Sequence, residues 1–300
     1  MTDLAPAATE TVAPAIPAPR GSAGSAWLKW LARRLGLAIL TLWLCSVLVF
    51  FATAALGDPV RAILGKDYAS SPERAAALTA ELNLDQPVIV RYFDWLGGLL
   101  TGNLGTSIAN GLPVSELVGP RIVNSAVLVL IAAVVMIPLA FGIAMTSAHY
   151  RGKRPDDVIQ IVMITLAGLP EFVVGILLVA LFSTTVLHVL PAVTIASGGA
   201  PPWSNPASMI LPVLTLVIAV APYVSRILRS SLLEVLDSDY VELARLKGVP
   251  ERVVMRKHAM LNAIVPGIQV IALQLAWLAG GVVIVEYLFS YPGIGASLVD

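Results

Sequence analysis

The stretch LGLAILTLWLCSVLVFFATAAL, running from Leu35 to Leu56, contains no charged residue. A helix rises about 1.5 Å per residue, so crossing roughly 30 Å of hydrocarbon takes about 20 apolar residues. This run is therefore expected to span a membrane. Trp27, Lys29, Trp30, Arg33 and Arg34 precede it and suit the headgroup region, where indole rings and basic side chains anchor a span. Ala52-Thr53-Ala54 resembles a signal-peptidase site. A secretory apolar region is only about 7–15 residues long, so this longer run reads as a retained anchor. The whole composition agrees. Of 300 residues, 57% are hydrophobic and 13% charged, with a formal net charge of zero and a mean hydropathy of +0.85. A soluble domain carries about 25% charged residues. A water-exposed globule and a disordered chain are both excluded, and no global field draws nucleic acid. The single cysteine, Cys45, allows no internal disulfide, and no Cys/His cluster suggests a metal site.

Outward from this first span, four more apolar stretches follow: Ile122 to Ala148, Val158 to Leu187, Met209 to Ser225 and Ala263 to Val285. Pro138, Pro170, Pro212, Pro222 and Pro266 lie within them. Prolines are tolerated in spans where neighbouring helices or water satisfy the freed carbonyls, which points to packed, kinked helices. Residues 1–26, rich in Ala, Pro, Thr and Ser, read as a disordered tail. Residues 57–121 form an extramembrane loop with short helices. One starts at Ser70-Ser71-Pro72-Glu73, with a serine cap and an early proline, and runs to about Asn83. A second follows Pro87, with Val88, Tyr92, Trp95 and Leu99 at helical spacing, before the turn Gly102-Asn103-Leu104-Gly105. The loops on one side of the five spans carry fourteen Lys and Arg residues, and those on the other carry five. The positive-inside tendency then places the N-terminus in the cytoplasm, with residues 57–121 and Asp300 outside.

Between the last two spans, residues 226–262 are expected to form a helix–turn–helix. Asp239 can cap a helix, with Glu242 three residues on to close the box. The helix runs from Tyr240 to Lys247, and Gly248 supplies a left-handed stop. Pro250-Glu251 starts a second helix that runs to about Asn262. Val241, Leu243, Leu246, Val249, Val253 and Val254 have no core of their own to fill. A short helix pair of this kind, apolar on one face and basic on the other, is a docking element for a partner.

Glu242-Leu243-Ala244, with Gly248 after three intervening residues, has the spacing of the signature of ABC-importer permeases. The stretch from Asp239 to Gly248, followed by Lys257-His258-Ala259 through Pro266, resembles the dipeptide/oligopeptide/nickel branch of that family. Three further stretches are similar to it. They are Leu84-Asp85-Gln86-Pro87 through Gly105, then Pro170-Glu171-Phe172 with Gly175, and Glu286 followed by Phe289-Ser290-Tyr291-Pro292-Gly293-Ile294-Gly295. The likeness covers about residue 29 onward. It implies an all-α polytopic membrane protein with the type I ABC-importer transmembrane fold: a first span at 27–56, an external loop at 57–121, and a permease core at 122–300 with a cytoplasmic coupling loop at 226–262. A sixth span beyond the Pro292–Gly295 turn is implied by resemblance and is not present in this sequence.

The resemblance also implies the function: a permease subunit in a bacterial cytoplasmic membrane, carrying di- or oligopeptides, with nickel, glutathione and short sugars transported by related branches. The implied partners are a second, related permease subunit, two cytoplasmic ATPase subunits that hold ATP and Mg, and an extracytoplasmic substrate-binding protein. The coupling residues carried over are Asp239, Tyr240, Glu242, Ala244, Gly248, Arg252 and His258. Leu243 departs from the signature, which has Ala there. Glu242 can serve as a helix cap as well as a partner contact. Pro170, Glu171 and Phe172 are candidates for the translocation path. A carboxylate at Glu171 is costly in lipid, so it faces a water-filled route or is satisfied by backbone freed at Pro170. His149 and His188 read as interfacial. Glu286 is expected to tie down the Tyr291–Gly295 turn. The sequence contains no G-x-x-x-x-G-K-[ST], H-E-x-x-H or G-x-S-x-G, so neither ATP hydrolysis nor an intramembrane hydrolase is expected of this chain. No internal repeat supports a secondary transporter.

Overall fold

In a computed structural model of the chain, the described residues are 23–299, apart from 58, 69–70, 108–110 and 195–199. Most of the tail read at 1–26 lies outside the described residues, but Ala23–Ala26 are already helical. The described residues form helices, with one isolated antiparallel bridge between Thr106 and Pro113. They divide into two compact units that meet at Leu104 and Gly105 in the sequence.

The first unit contains α1 (Ala23–Ala55), α2 (Pro59–Leu64), α3 (Pro72–Glu81) and α4 (Val88–Leu100). α1 is the expected first span. Its C-terminal half meets α4 through aromatic rings. Tyr92 is buried, with its ring centroid 5.3 Å from that of Phe50, and its hydroxyl lies 2.9 Å from Ser46 Oγ. Such ring pairs stabilise by about 0.5–1.5 kcal/mol beyond the area they bury. α3 begins after Ser71, which makes no side-chain cap bond, while Ser70 lies outside the described residues. Gly102 and Gly105 take positive φ in the turn after α4, as their spacing predicts.

The second unit is a bundle built on α5 (Val114–His149) and α8 (Pro206–Leu236). Leu128, Ala132, Met136, Ala140 and Ala144 recur every four residues along α5 and are all fully buried. The small alanines let α8 approach closely, presenting Leu216, Val220, Val224, Leu228 and Leu232. Both helices outrun their charge-free stretches. α5 starts eight residues before Ile122, inside the segment read as loop, and α8 continues eleven residues past Ser225. Charges at Arg121, Arg226 and Arg229 end an apolar count, but they do not break a helix whose buried stripe continues to Leu236.

The stretch read as one span from Val158 to Leu187 is a broken pair. α6 (Arg154–Ala167) and α7 (Glu171–Val179), which continues through a wide π turn to Thr184, make an angle of 101°. Pro170 lacks an N–H and biases Leu169 away from helical geometry, so the ladder stops and restarts. Among the described residues, four helices are long and apolar enough to cross a membrane, and this bent pair makes five if it serves as one span. Beyond α8 lie α9 (Asp239–Leu246), the short α10 (Glu251–Val253), α11 (Met260–Leu288) and α12 (Ala296–Val299). A π turn at Val254–Ala259 joins α10 to α11 without a break. The second helix of the expected helix–turn–helix therefore does not end near Asn262; it is the start of the last span.

Candidate functional site

At the end of α8, the chain turns at Asp237-Ser238 and enters α9. Ser238, not Asp239, occupies the cap position, and its side chain makes no cap bond; Asp239 and Glu242 supply negative charge in the first turn. That placement favours the positive end of the helix dipole. At the other end Lys247 is the cap. Gly248 N–H donates to the Arg245 carbonyl at 2.9 Å and Val249 N–H to the Ala244 carbonyl at 3.2 Å. This pair of bonds is the Schellman closure, which needs a left-handed residue after the cap. Gly248 provides it with φ of 75°.

The apolar residues of this segment divide between two faces. Val241, Ala244 and Val254 are buried, and Val241 and Val254 belong to the bundle core. Tyr240, Leu243 and Leu246, each three residues apart, are 44%, 55% and 77% exposed. The expectation that none of the segment's apolar residues has a core to fill is thus corrected for the inner face and holds for the outer one. Glu242 and Arg252 are also exposed. His258 lies in the π turn, and its side chain is outside the described residues.

Two ion pairs fix this platform. Arg245 grips Glu251 through Nε and Nη2, at 3.1 and 2.9 Å, and its Nη1 reaches the Leu236 carbonyl at 3.3 Å. Arg151, in the loop after α5, pairs with Asp237 at 2.6 Å. The hydrogen bond from Arg245 holds the Glu251 carboxyl below its ordinary range, and that from Arg151 does the same for Asp237. A third pair was not legible as a pair in the sequence. Arg229 of α8 donates from Nε and Nη2 to Asp156 of α6, at 3.0 and 2.6 Å. Asp156 is almost fully buried and also accepts from Ser147 Oγ, while Gln160 donates to that same oxygen at 2.8 Å. The residues are 73 apart in sequence; only the acidic first turn of α6 could have hinted at a partner.

Pro170, Glu171 and Phe172 sit at the break between α6 and α7. Pro170 caps α7, Glu171 is its first residue, and Phe172 is exposed. Glu171 Oε2 is buried and has no hydrogen-bond partner among the described residues. The backbone freed at Pro170 therefore does not satisfy that oxygen.

Glu286 behaves as the sequence implied. It is fully buried, and Oε2 accepts from the N–H groups of Gly295 and Ala296 at 2.7 and 3.2 Å, while Oε1 accepts from Ser125 Oγ. The turn is further held by the Tyr291 hydroxyl donating to the Asn124 carbonyl at 2.8 Å. Among the described residues, no group of His, Cys, Asp and Glu is arranged to hold a metal ion.

The fold and this platform define a polytopic helical membrane protein that presents a short, rigidly held helix outside its bundle. The chain belongs to the family described as the binding-protein-dependent transport system inner membrane component, which matches residues 136–300; the family's N-terminal domain matches residues 27–113. Among its relatives is the glutathione transport system permease protein GsiC of Salmonella choleraesuis (strain SC-B67), 37% identical over 271 residues, covering 90% of this chain and 85% of the relative. The protein of the same description from Escherichia coli (strain K12) is 34% identical over 269 residues, covering 89% and 84%. The chain is thus an ABC-importer permease, a multi-pass inner-membrane subunit that is not an enzyme; ATP is hydrolysed by separate subunits. Such a permease acts with a partner permease, an ATPase and a binding protein.

Proposed function

We propose that this permease forms one half of a conduit for short peptides, glutathione-like tripeptides included, and that α9 is the element through which ATPase closure reaches it. The observation that carries the reading is the two-faced α9. Its inner face packs inward through Val241, which joins the bundle core, and Ala244, while its outer face offers Tyr240, Leu243 and Leu246. A push on the outer face is transmitted to α8 and α11 because the inner face cannot slide. Glu242 and Arg252 frame that face with charges for a partner, Asp239 adds negative charge to the first turn, Ala244 packs inward, and Gly248 and the His258 segment set the exit. The partners in this reading are a related but distinct permease, two ATPase subunits holding ATP and Mg, and a substrate-binding protein on the outer side. The N-terminus and α9 lie in the cytoplasm. Pro170, Glu171 and Phe172 line the route, where the broken helix opens backbone toward a water-filled interior.

The name shared by the relatives favours glutathione over nickel or sugars as the first substrate to test. The experiment is uptake into proteoliposomes holding the complete importer, with ATP inside or outside according to orientation, using labelled glutathione and labelled tri-alanine. ATP-dependent accumulation of either supports the reading. Accumulation of neither, with a sugar or a nickel chelate transported instead, overturns it.

A further inference from the structure

Beside the Asp156–Arg229 pair, a groove of about 460 Å³ lies along the exposed side of α8, with Gln160 of α6 at its rim. Its floor is a stripe of Tyr223, Arg226, Ser230 and Glu234, all exposed, while Val224, Leu228 and Leu232 on the opposite side of the same helix are buried in the core. The spacing of three, four and four residues keeps the stripe on one face. Arg226, Ser230 and Glu234 lie on the part of α8 that continues beyond the apolar run ending at Ser225, so a phenol, a guanidinium, a hydroxyl and a carboxylate line the groove at the water-facing end of this helix. Arg229 is already neutralised by Asp156. Arg226 and Glu234 have no ion pair or hydrogen bond among the described residues. The groove therefore has one free cation and one free anion, eight residues apart. At 1.5 Å per residue that is about 12 Å along the axis.

Building on the peptide reading above, we propose that this groove is a way-station for zwitterionic di- and tripeptides, which bind with the C-terminal carboxylate on Arg226 and the N-terminal ammonium toward Glu234. An extended peptide gains about 3.3–3.6 Å per residue, so two or three residues, with the reach of both side chains, bridge the two charges. Guanidinium and carboxylate match in a two-bond geometry, which an amide end group does not offer. The volume is also within the range of about 300–1,000 Å³ for small-molecule sites. Four or more residues overrun the spacing, so the groove also sets an upper length.

The test compares ATP-driven uptake of tri-alanine, its C-terminal amide and its N-acetyl form, always with the same binding protein, so that the preference of the binding protein cancels between permease variants. Arg226→Gln should reduce the acid-over-amide ratio by about tenfold and leave the free-over-acetylated ratio unchanged; Glu234→Gln should do the reverse. Arg226→Lys should keep most of the acid preference. Ser230→Asp, an exposed change one turn from Arg226, should lower the acid-over-amide ratio even if Arg226→Gln fails to assemble. Ratios that stay at the wild-type value in the assembled Gln and Asp variants overturn the groove. Where the wild-type importer takes up glutathione and not tri-alanine, the same ratios are read with glutathione, its C-terminal amide and its N-acetyl form; uptake of neither peptide overturns the peptide reading itself, a separate outcome.

Discussion

Gly248 and Glu171 show how single residues set the limits of this permease. A Cβ built on Gly248 meets no atom within 4 Å, so a side chain there has room; the constraint is its φ of 75° alone. A β-branched residue reaches that region only with strain of about 1–3 kcal/mol, whereas asparagine visits it with less. Gly248→Val should leave membrane insertion intact, since the spans do not depend on this turn, and should reduce co-purification of the ATPase subunit. Gly248→Asn should retain most of it. Equal ATPase recovery with both variants and wild type removes α9 as the docking element, and a Glu242→Lys variant binding normally points the same way. Gly293 is glycine for a different reason: its Cβ would fall 2.1 Å from the Glu286 carboxylate. At Glu171, the buried Oε2 without a partner predicts a functional group rather than a satisfied structural one. Glu171→Gln should lower uptake several-fold while assembly and basal ATP hydrolysis persist. Loss of expression at unchanged specific uptake speaks for a purely structural carboxylate.

At the scale of elements, the informative feature is how helices end. Pro170 turns one apolar stretch into two helices at 101°, and Gly248 turns the segment after α9 back toward the bundle. The stop at Gly248 was legible in the sequence, because glycine permits positive φ through its own backbone; Pro170 was legible only as a proline inside one span, because a proline kinks or breaks a helix according to how the flanking segments pack. The joining of α10 to α11 was not legible, since nothing between Val254 and Ala259 distinguishes a π turn from an ordinary end. The clamp between α6 and α8 was equally hidden, being a meeting of distant residues. It makes its own prediction. The Asp156–Arg229 pair has side-chain exposures of 5% and 20%, and removing one partner of a buried pair leaves the other charge uncompensated, at about 3–5 kcal/mol. Asp156→Ala should lower the thermal midpoint of the detergent-solubilised protein clearly more than Asp237→Ala, whose pair with Arg151 is more than half exposed and contributes about 0–1 kcal/mol. Similar shifts for the two variants would show that the inner pair is not a clamp.

For the whole molecule, orientation is the property that the count of basic residues predicts. In a Cys45→Ser background, a cysteine at Glu73 should react with an impermeant maleimide in intact cells, and one at Arg252 only after permeabilisation; the reverse pattern inverts the conduit and with it the cytoplasmic placement of α9. The number of apolar stretches, their prolines and the helix ending at Gly248 could be read in the sequence because each is a local property: a hydrocarbon core demands a run of uncharged residues, a missing N–H disturbs a ladder, and a glycine permits positive φ. How far α5 and α8 extend beyond those runs, which of Val241 and Leu243 faces inward, and which arginine Asp156 meets were settled only when helices packed. Burial and ion pairing depend on the neighbour each face finds, and residues 73 apart in sequence carry no local sign of it. With the span read as ending at Ser225, the positions Tyr223, Arg226, Ser230 and Glu234 fall on one stripe only because α8 continues to Leu236, and the stripe becomes a groove only when α6 stands beside it.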